Sequence, residues 1–294
     1  MPDLRPSGSK AVLICGPTAS GKSALAMRIA EESGGTIVNA DAMQVYSCWR
    51  ILTARPTRTD ETRLPHALYG HVEPTVGYSV GSWLNDVRRF LEQAPANPPI
   101  FVGGTGLYFF ALTHGLAPVP DIPDGVRSES RRLRSKNGLD VMIRDLRNCA
   151  PEALEGINLG NPARVARAWE VQRATGRSLA HWHALETNPL YALDEVDPIL
   201  LWPDAKRTAA KIDRRLRQMV KDGVIEECRE VFRSHDPSLP YSKALGAREF
   251  RDHLEGRIGL DETLTRIAAA TRQFAKRQRT WFRSRMSNWR RLSA

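Results

Sequence analysis

One segment of the sequence pairs glycines with a lysine and hydroxyl side chains at a spacing suited to binding phosphate. Residues 16–23 read GPTASGKS, which matches the pattern G-x-x-x-x-G-K-[ST] of a phosphate-binding loop. Gly16 and Gly21 let the backbone curl so that several N–H groups point at one anion, and Lys22 adds a full positive charge. The Ser23 hydroxyl is a ligand for Mg²⁺, and the following helix presents its positive end. This P-loop predicts a phosphate compound with Mg²⁺ as cofactor, bound by Gly16, Pro17, Thr18, Ala19, Ser20, Gly21, Lys22 and Ser23.

Two further polar segments follow apolar runs downstream of the P-loop. Asp41 comes directly after the run TIVNA and begins the segment DAMQVY. A carboxylate there suits a general base, a Mg²⁺ ligand or a ribose hydrogen-bond acceptor, and a helix N-cap is the structural alternative. The segment VGGTGLY at 102–108 places three glycines around Thr105, which either admits a ligand to the backbone or forms a tight turn. The residues alone leave both choices open.

The end of the chain combines positive charge with aromatic rings. Residues 263–294 contain no acidic side chain, and four aromatic residues lie among the arginines and lysines. Basic groups neutralise phosphates, and aromatic rings either stack on bases or pack in the core. A solvated helix face with core aromatics beneath it is the structural alternative. We predict RNA contacts from Arg272, Gln273, Lys276, Arg277 and Arg279.

The overall charge also indicates a polyanionic partner. Lysine and arginine number 43 against 33 acidic residues, which gives a net charge of +10 in 294 residues. Such a balance is typical of proteins that bind nucleic acid or an acidic membrane surface, and a merely basic soluble protein is the simpler alternative. The four cysteines are scattered, no long apolar run occurs, and we expect no signal peptide because residues 1–10 are polar. We therefore expect a cytoplasmic monomer that makes no membrane contact.

Short apolar runs predict the strands that hold the polar segments in place. We expect buried strands, with helices between them, at 11–15, 36–40, 100–102 and 198–202. This alternation favours an α/β fold, with a P-loop NTPase-like parallel sheet core, a helical insertion and a C-terminal region that is helical to about residue 285. The predicted boundaries are 1–115 for the first part of the core, 116–195 for the insertion domain, and 196–294 for core completion and the basic C-terminal helices. Ligands of such sheets bind at the carboxyl ends of the strands, where the P-loop and Asp41 would meet.

Several segments together resemble the tRNA dimethylallyltransferases, the bacterial type of tRNA isopentenyl transferase. Besides the P-loop, the resemblance rests on DAMQVY at 41–46, TARP at 53–56, the pattern H-x-L-Y-G-H at 66–71, VGGTGLY at 102–108, NPARVARAWEV at 161–171, KALGARE at 243–249 and TRQFAKRQRTWF at 271–282. It covers nearly the whole chain. A P-loop alone occurs in many families, whereas this combination in this order is specific.

The resemblance implies an enzyme that transfers a dimethylallyl group from dimethylallyl diphosphate to tRNA. The acceptor would be the exocyclic amine of the adenosine just 3′ of the anticodon, and the P-loop would hold the departing diphosphate. By matching position, Asp41 is implied as the general base, with Lys22 and Thr18 as further catalytic residues. The residues implied to contact the anticodon stem-loop are Asp41, Ala42, Met43, Gln44, Thr105, Arg127, Ala163, Arg164, Val165, Ala166, Arg167, Lys243, Ala244, Leu245, Gly246, Ala247 and Arg248.

A few positions depart from the family pattern. Ala42 and Ala247 replace a serine and a tyrosine that many members carry. The arginine that assists the leaving group in the family does not align, because Ala205 occupies the nearest position, beside Lys206 and Arg207. The resemblance leaves that catalytic role unassigned.

Other P-loop functions remain open. A small-molecule or nucleotide kinase would use ATP as phosphoryl donor, with Asp41 facing the acceptor hydroxyl. The basic tail disfavours a kinase, since such an enzyme needs no contact with a polyanion. An RNA-binding NTPase that remodels RNA predicts RNA-stimulated phosphate release without covalent change to tRNA.

Overall fold

A parallel sheet of six strands forms the core of the chain within residues 10–234, 236–237 and 239–293, which the computed structural model describes. The strand order across the sheet is β3-β2-β4-β1-β5-β6. The strands are β1 Ala11–Cys15, β2 Ile37–Asn39, β3 His66–Ala67, β4 Ile100–Gly103, β5 Val196–Leu201 and β6 Arg290–Leu292. The predicted α/β class and the four predicted strands are confirmed. The two edge strands, β3 and β6, were not predicted because neither contains an apolar run.

Helices connect the strands and continue after them. The helices are α1 Lys22–Ser33, α2 Arg58–Arg63, α3 Val80–Glu92, α4 Gly106–His114, α5 Asp124–Asn137, α6 Asp140–Cys149, α7 Pro162–Thr175, α8 Leu179–His183, α9 Ala205–Lys221, α10 Val224–Phe232, α11 Ala247–Leu254 and α12 Leu260–Arg285. None of the described helices is long and apolar enough to span a lipid bilayer.

The central strand fixes the position of the P-loop. All five residues of β1 are buried, and β1 pairs with β4 on one side and β5 on the other. A strand that is buried on both faces reads as a continuous apolar run, which is why the sequence revealed it. Helix α1 packs Leu25, Ala26 and Ile29 into the same apolar cluster. The segment between β1 and α1 is therefore held at the carboxyl edge of the sheet.

Two compact units divide the chain, and each has a core of its own. The first comprises Met1–His114 and Leu190–Ala294, and the second is Gly115–Pro189. The predicted insertion ran from 116 to 195. The backbone N–H groups of Leu190 and Tyr191 both donate to the carbonyl of Leu112 in α4, at 3.1 and 3.2 Å, which explains why the segment after residue 189 lies with the first unit. In the second unit, α6 and α7 share an apolar core.

Helix α12 presents two different faces. Its buried positions, Thr263, Ile267, Ala268, Thr271, Ala275, Gln278 and Phe282, recur mainly at spacings of three and four residues. Most of the basic residues lie between them, on the exposed face. The tail therefore combines both sequence interpretations, since Phe282 and Trp289 pack in the core while most of the arginines face solvent.

A carboxylate in α10 holds the loop that follows the segment DAMQVY. Glu227 accepts hydrogen bonds from the backbone N–H groups of Arg50, Ile51 and Leu52, at 2.7, 2.9 and 2.8 Å. Hydrogen bonds to a charged acceptor are roughly twice as strong as neutral ones. This single side chain therefore fixes the conformation of residues 50–52.

We expect Glu227→Gln to lower the free energy of unfolding by about 1–3 kcal/mol, because the neutral amide accepts more weakly and turns an NH₂ group toward backbone donors. Urea denaturation of both proteins measures the difference. Glu226→Gln is the matched control, since the Glu226 carboxylate is exposed and only approaches Arg229 at 3.8 Å. That control should change stability by less than about 0.5 kcal/mol. Equal unfolding curves for Glu227→Gln and the native protein would contradict the assignment.

Candidate active site

The P-loop forms an anion cradle between β1 and α1. The Lys22 ammonium donates to the carbonyl of Pro17 at 2.8 Å, and the N–H of Ser20 donates to the same carbonyl at 3.3 Å. The Ser20 hydroxyl is buried and has no hydrogen-bond partner among the described residues. No side chain caps the N-terminus of α1 there. Exposed amide donors at a helix N-terminus, beside a lysine and an unpaired hydroxyl, form a site suited to phosphate.

Burial tunes the charge of the P-loop lysine. Desolvation lowers the pKa of Lys22 to about 8, because the half-buried ammonium has lost water. The negative charge of Asp41 acts in the opposite direction, and Arg215 adds to the lowering. Lys22 thus lies close enough to Asp41 and Arg215 for their charges to act on it. A bound anion would restore the ordinary preference for the charged form.

We expect the affinity for a non-reactive analogue of an organic diphosphate to fall above about pH 8, by up to tenfold per pH unit. Neutral Lys22 must then take up a proton before it meets the anion. Below that pH the lysine is already charged, so its contribution is constant. Both phosphates of such an analogue are fully ionised above about pH 7, so they add no slope of their own. Calorimetry across this range measures the affinity, and Lys22→Met should remove the dependence. The same slope in Lys22→Met would show that another group titrates.

Asp41 lies just beyond the end of β2 in a fixed turn. Its backbone N–H donates to the Asn39 amide oxygen at 2.9 Å, and its Oδ1 accepts from the N–H of Met43 at 3.0 Å. No helix begins at this point, so the N-cap alternative does not apply. A Cβ built on Gly104 would lie 3.5 Å from Asp41 Oδ2 and 3.6 Å from the Gly16 carbonyl oxygen. The carboxylate therefore lies near the start of the P-loop.

A cavity of about 320 Å³ within the first unit brings the P-loop and Asp41 together. It combines a small number of charged and hydroxyl side chains with a largely apolar wall. It is lined by Thr18, Ala19, Asp41, Met43, Leu52, Thr53, Ile212, Arg215, Leu216, Met219, Lys243, Leu245, Ile267, Thr271, Phe274 and Arg277. An apolar pocket with a few convergent polar groups is typical of a substrate site.

Arg215 in α9 is a charged residue of this cavity that sequence reasoning missed. Desolvation lowers its pKa, whereas the negative charge of Asp41 acts to raise it, so the two groups lie close together. Ala205, the position considered from the sequence, is only the first residue of α9. The signal was present in the spacing, because Ile212, Leu216 and Met219 form the buried face of α9 and Arg215 falls among them.

Two polar residues predicted to contact tRNA already have partners in the protein. The Thr105 hydroxyl accepts from the N–H of Ala42 at 3.0 Å, and the Gln44 side chain donates to the carbonyls of Thr53 and Ala54 at 2.8 and 3.0 Å. Both side chains thereby fix the backbone around Asp41. Their proposed RNA contacts stay predictions.

The remaining predicted residues of the first unit divide into exposed and buried ones. Lys243 and Arg248 are exposed, and Lys243 and Leu245 line the cavity. Ala244, Gly246 and Ala247 are buried and present no side chain to a ligand. Of the segment 243–248, the two basic residues are therefore best placed to meet RNA.

The second unit presents a basic surface on α5 and α7. Arg127, Ala163 and Arg164 are exposed, whereas Val165 and Ala166 are buried in the core of that unit. The pKa of Arg167 is lowered by desolvation first, and the positive charge of Arg127 contributes in the same direction. Two arginines that repel each other in this way favour an anionic ligand. Val165 and Ala166 support this surface from beneath.

On α12, the predicted RNA-binding residues differ in how they are held. Arg272, Gln273 and Lys276 are exposed, and Arg272 approaches Asp213 at 3.3 Å. Arg277 lines the cavity and lies 5.7 Å from the centre of the Phe274 ring, a side chain that is 38% exposed. Phe274 is thus the aromatic residue of α12 most available to a base.

The other end of the basic tail packs on the protein. Arg279 lies over the Trp202 ring at 4.5 Å and donates to the carbonyl of Pro203 at 2.7 Å. Trp281 packs so closely on Gly106 that a Cβ there would lie 2.1 Å from its ring. Arg290, in β6, forms an ion pair with Asp197 at 2.9 Å. These basic and aromatic groups hold α12 and β6 against the sheet.

The residues of the cradle fit a Mg²⁺ ion that is shared with a bound phosphate compound. The Ser23 side chain is exposed in the first turn of α1 and makes no hydrogen bond to the described residues. The described part of the chain contains no group of three or more His, Cys, Asp or Glu that could hold a metal by itself. Mg²⁺ usually keeps several waters and binds through one or two protein groups plus substrate phosphates. Ser23 would supply the protein ligand.

Sequence comparison relates the chain to known transferases. A family model described as IPP transferase matches residues 44–285, and one described as Isopentenyl transferase matches residues 9–64. A tRNA dimethylallyltransferase of Cereibacter sphaeroides strain KD131 is 50% identical over 289 residues, which cover 98% of this chain and 90% of that protein.

Structural comparison gives similar relatives. The tRNA isopentenylpyrophosphate transferase of Bacillus halodurans matches with a TM-score of 0.68 and 28% identity, over 97% of this chain and 90% of that one. A eukaryotic dimethylallyltransferase acting on tRNA matches with a TM-score of 0.81 over 97% of this chain and 74% of that one. At 22% identity, this second likeness concerns the fold alone.

Proposed function

The chain belongs to the IPP transferase family, and on this premise we propose that it transfers the dimethylallyl group of dimethylallyl diphosphate to tRNA. The proposed acceptor is the exocyclic amine of the adenosine just 3′ of the anticodon. One observation carries the proposal: Thr18 of the P-loop, Asp41 and Arg215 line a single cavity whose remaining wall is largely apolar. A leaving diphosphate, an allylic chain and a nucleophilic nitrogen each find a suitable partner there.

The diphosphate of the donor is proposed to bind in the cradle. Lys22, the backbone amides of the P-loop and the Thr18 hydroxyl donate to its oxygens, and Arg215 faces the same cavity with a positive charge. These donors are in place before the reaction, so they stabilise the charge that builds on the leaving group. Ser23 would hold a Mg²⁺ ion, which would supply Lewis-acid stabilisation to the charge on the leaving group.

The dimethylallyl chain is proposed to lie against the apolar wall. Leu52, Ile212 and Leu216 belong to that wall, together with Met219 and Ile267, and all five are largely buried. The reacting carbon develops cationic character as its bond to oxygen weakens. An apolar wall keeps water away from that carbon and so prevents hydrolysis of the donor.

Asp41 is proposed to accept the proton of the adenine amine. The amine is a poor nucleophile because its lone pair is delocalised into the ring. As the new N–C bond forms, the C–O bond to the diphosphate breaks and its electron pair stays on the diphosphate oxygen, while one N–H proton passes to Asp41. General base catalysis of this kind contributes typically about 10²–10⁴-fold in rate.

The acceptor base must leave its stack to reach this cavity. Enzymes that react with a base in RNA or DNA act on unstacked nucleotides, and a flipped base reaches into a pocket. The exposed basic residues of α12, including Arg272 and Lys276, and those of α5 and α7 in the second unit are proposed to bind the phosphates of the anticodon stem-loop.

Nucleoside mass spectrometry tests the proposal. The protein is incubated with an anticodon stem-loop, dimethylallyl diphosphate and Mg²⁺, and the RNA is then digested to nucleosides. The expected product is one adenosine that carries a dimethylallyl group, with release of diphosphate. A stem-loop with a purine lacking the exocyclic amine at that position is the control and should stay unmodified. Phosphate transfer from labelled ATP without any prenylated nucleoside would overturn the proposal in favour of a kinase.

A further inference from the structure

A buried glutamine of α12 connects the P-loop to the turn after β4. Gln278 is 7% exposed. Its Oε1 accepts from the backbone N–H of Thr18 at 2.9 Å, and its Nε2 donates to the carbonyl of Gly104 at 2.8 Å. Both hydrogen bonds leave the helix, and they reach two different loops at the carboxyl edge of the sheet. Gln278 lies in the segment TRQFAKRQRTWF, but the resemblance implies no role for it.

The two loops belong to opposite sides of the proposed reaction. Thr18 lies on the donor side, in the P-loop and on the cavity wall. Gly104 precedes Thr105, whose N–H donates to the Ala40 carbonyl at 3.3 Å and whose hydroxyl accepts from the N–H of Ala42 at 3.0 Å. Ala40 and Ala42, the two partners of Thr105, flank Asp41 in the chain. One side chain therefore spans the distance between the diphosphate cradle and the proposed proton acceptor.

The chemistry of the position points to directional bonding rather than packing. The other buried polar residues of α12, Thr263 and Thr271, donate their hydroxyls to carbonyls of Gly259 and Ile267, within the same stretch of chain. An apolar side chain at position 278 would avoid the cost of burying an amide, which is substantial unless every polar atom is bonded. The Gln278 amide is bonded at both ends.

We propose that Gln278 is a positioning residue that sets the separation between Thr18 and Asp41, and hence between the donor carbon and the amine. This inference rests on the proposed transferase function. Gln278 touches neither the cavity nor the reacting atoms, so it acts through the two backbones that it joins. Reacting groups must meet within narrow limits, and a misplacement of about 1 Å costs about 10²-fold in rate.

A substitution at Gly104 should disturb the same bridge, because Gly104 lies against the Gln278 amide. A Cβ at position 104 would lie 2.5 Å from Gln278 Nε2, whereas its next neighbours, Asp41 Oδ2 and the Gly16 carbonyl oxygen, lie 3.5 and 3.6 Å away. An alanine there collides with one group, the glutamine amide. Gly104→Ala therefore displaces Gln278 without filling the cavity.

The first experiment compares Gln278→Met and Gln278→Glu with the native protein. Methionine keeps the length of the side chain but makes neither hydrogen bond, and glutamate keeps an acceptor for Thr18 while it repels the Gly104 carbonyl. We expect both to lower kcat for prenyl transfer by about 10- to 100-fold. We expect the KM for donor and RNA to change by less than about threefold, since the binding groups remain. Gln218→Met, an exposed glutamine of α9, is the control and should keep native kcat.

The outcomes separate positioning from simple structural support. If Gln278 only stabilises the fold, Gln278→Met will lower the Tm while the folded protein keeps its kcat, and the inference is overturned. Full turnover in Gln278→Glu overturns the two-ended bridge. If the native protein forms no prenylated nucleoside, the proposed function itself fails. If the native protein is active and Gln278→Met is equally active, only the inference about Gln278 fails.

A double-mutant cycle provides the second experiment. Gly104→Ala alone should lower kcat about as much as Gln278→Ala alone. In the Gln278→Ala background the collision partner is gone, so Gly104→Ala should cost less than about twofold further. Independent, multiplying effects of the two substitutions would show that Gly104 and Gln278 do not act through each other and would overturn the inference.

Discussion

Asp41→Asn should slow prenyl transfer to tRNA by about 10²–10⁴-fold, because asparagine cannot accept the proton that the adenine amine must lose. In the native protein, Asp41 Oδ1 accepts from the N–H of Met43 at 3.0 Å and so holds the turn. The amide oxygen of asparagine can still accept this hydrogen bond. The loss should therefore appear in the chemical step and not in folding. Single-turnover measurement with saturating protein isolates that step.

The affinity of Asp41→Asn for RNA should differ little from that of the native protein. RNA affinity should change by less than about threefold, since the phosphates bind to basic groups elsewhere. Asp222→Asn, at an exposed carboxylate after α9, is the control and should keep the native rate. A rate for Asp41→Asn within about threefold of native would remove Asp41 from the role of general base.

Arg215→Gln should lower the transfer rate by about 10²–10³-fold, the usual cost of one preorganised donor to a developing anion. The same substitution should weaken binding of the diphosphate product. Arg215→Lys keeps the charge but loses the planar fork of donors. Its transfer rate should therefore lie between those of the native protein and Arg215→Gln. Pre-steady-state kinetics with the product-release step resolved measures both quantities.

Arg214→Gln is the matched control for Arg215. Arg214 is the preceding residue of α9, and its side chain is exposed. Its loss removes the same charge from the same helix without touching the cavity, and the rate should stay within about twofold of native. Equal losses in both variants would mean that net charge on α9, and not the position of Arg215, is what the reaction needs. Thermal unfolding of each variant verifies that the fold is intact.

The amino-acid sequence by itself determined the elements whose signals are local. β1 is a run of five apolar residues because a strand buried on both faces has no polar side, and the P-loop that follows is readable because its glycines and lysine are adjacent in the chain. The helical character of the chain from residue 206 to about 285 was also readable, although its division into α9, α10, α11 and α12 was not. The positions of the P-loop and Asp41 at the carboxyl edge of the sheet followed from the parallel arrangement alone.

Only the tertiary structure decided which distant side chains meet. The edge strands β3 and β6 are too short and polar to carry a pattern, and they exist because neighbouring strands offer hydrogen bonds. Arg215 lies near Asp41 because of how α9 packs. The spacing of Ile212, Leu216 and Met219 predicts that this face of α9 is buried, but it does not identify the residues that the face contacts. Gln278 binds the P-loop across 260 residues of chain. Local sequence specifies a local conformation, whereas contacts of that separation arise only when the helices pack on the sheet.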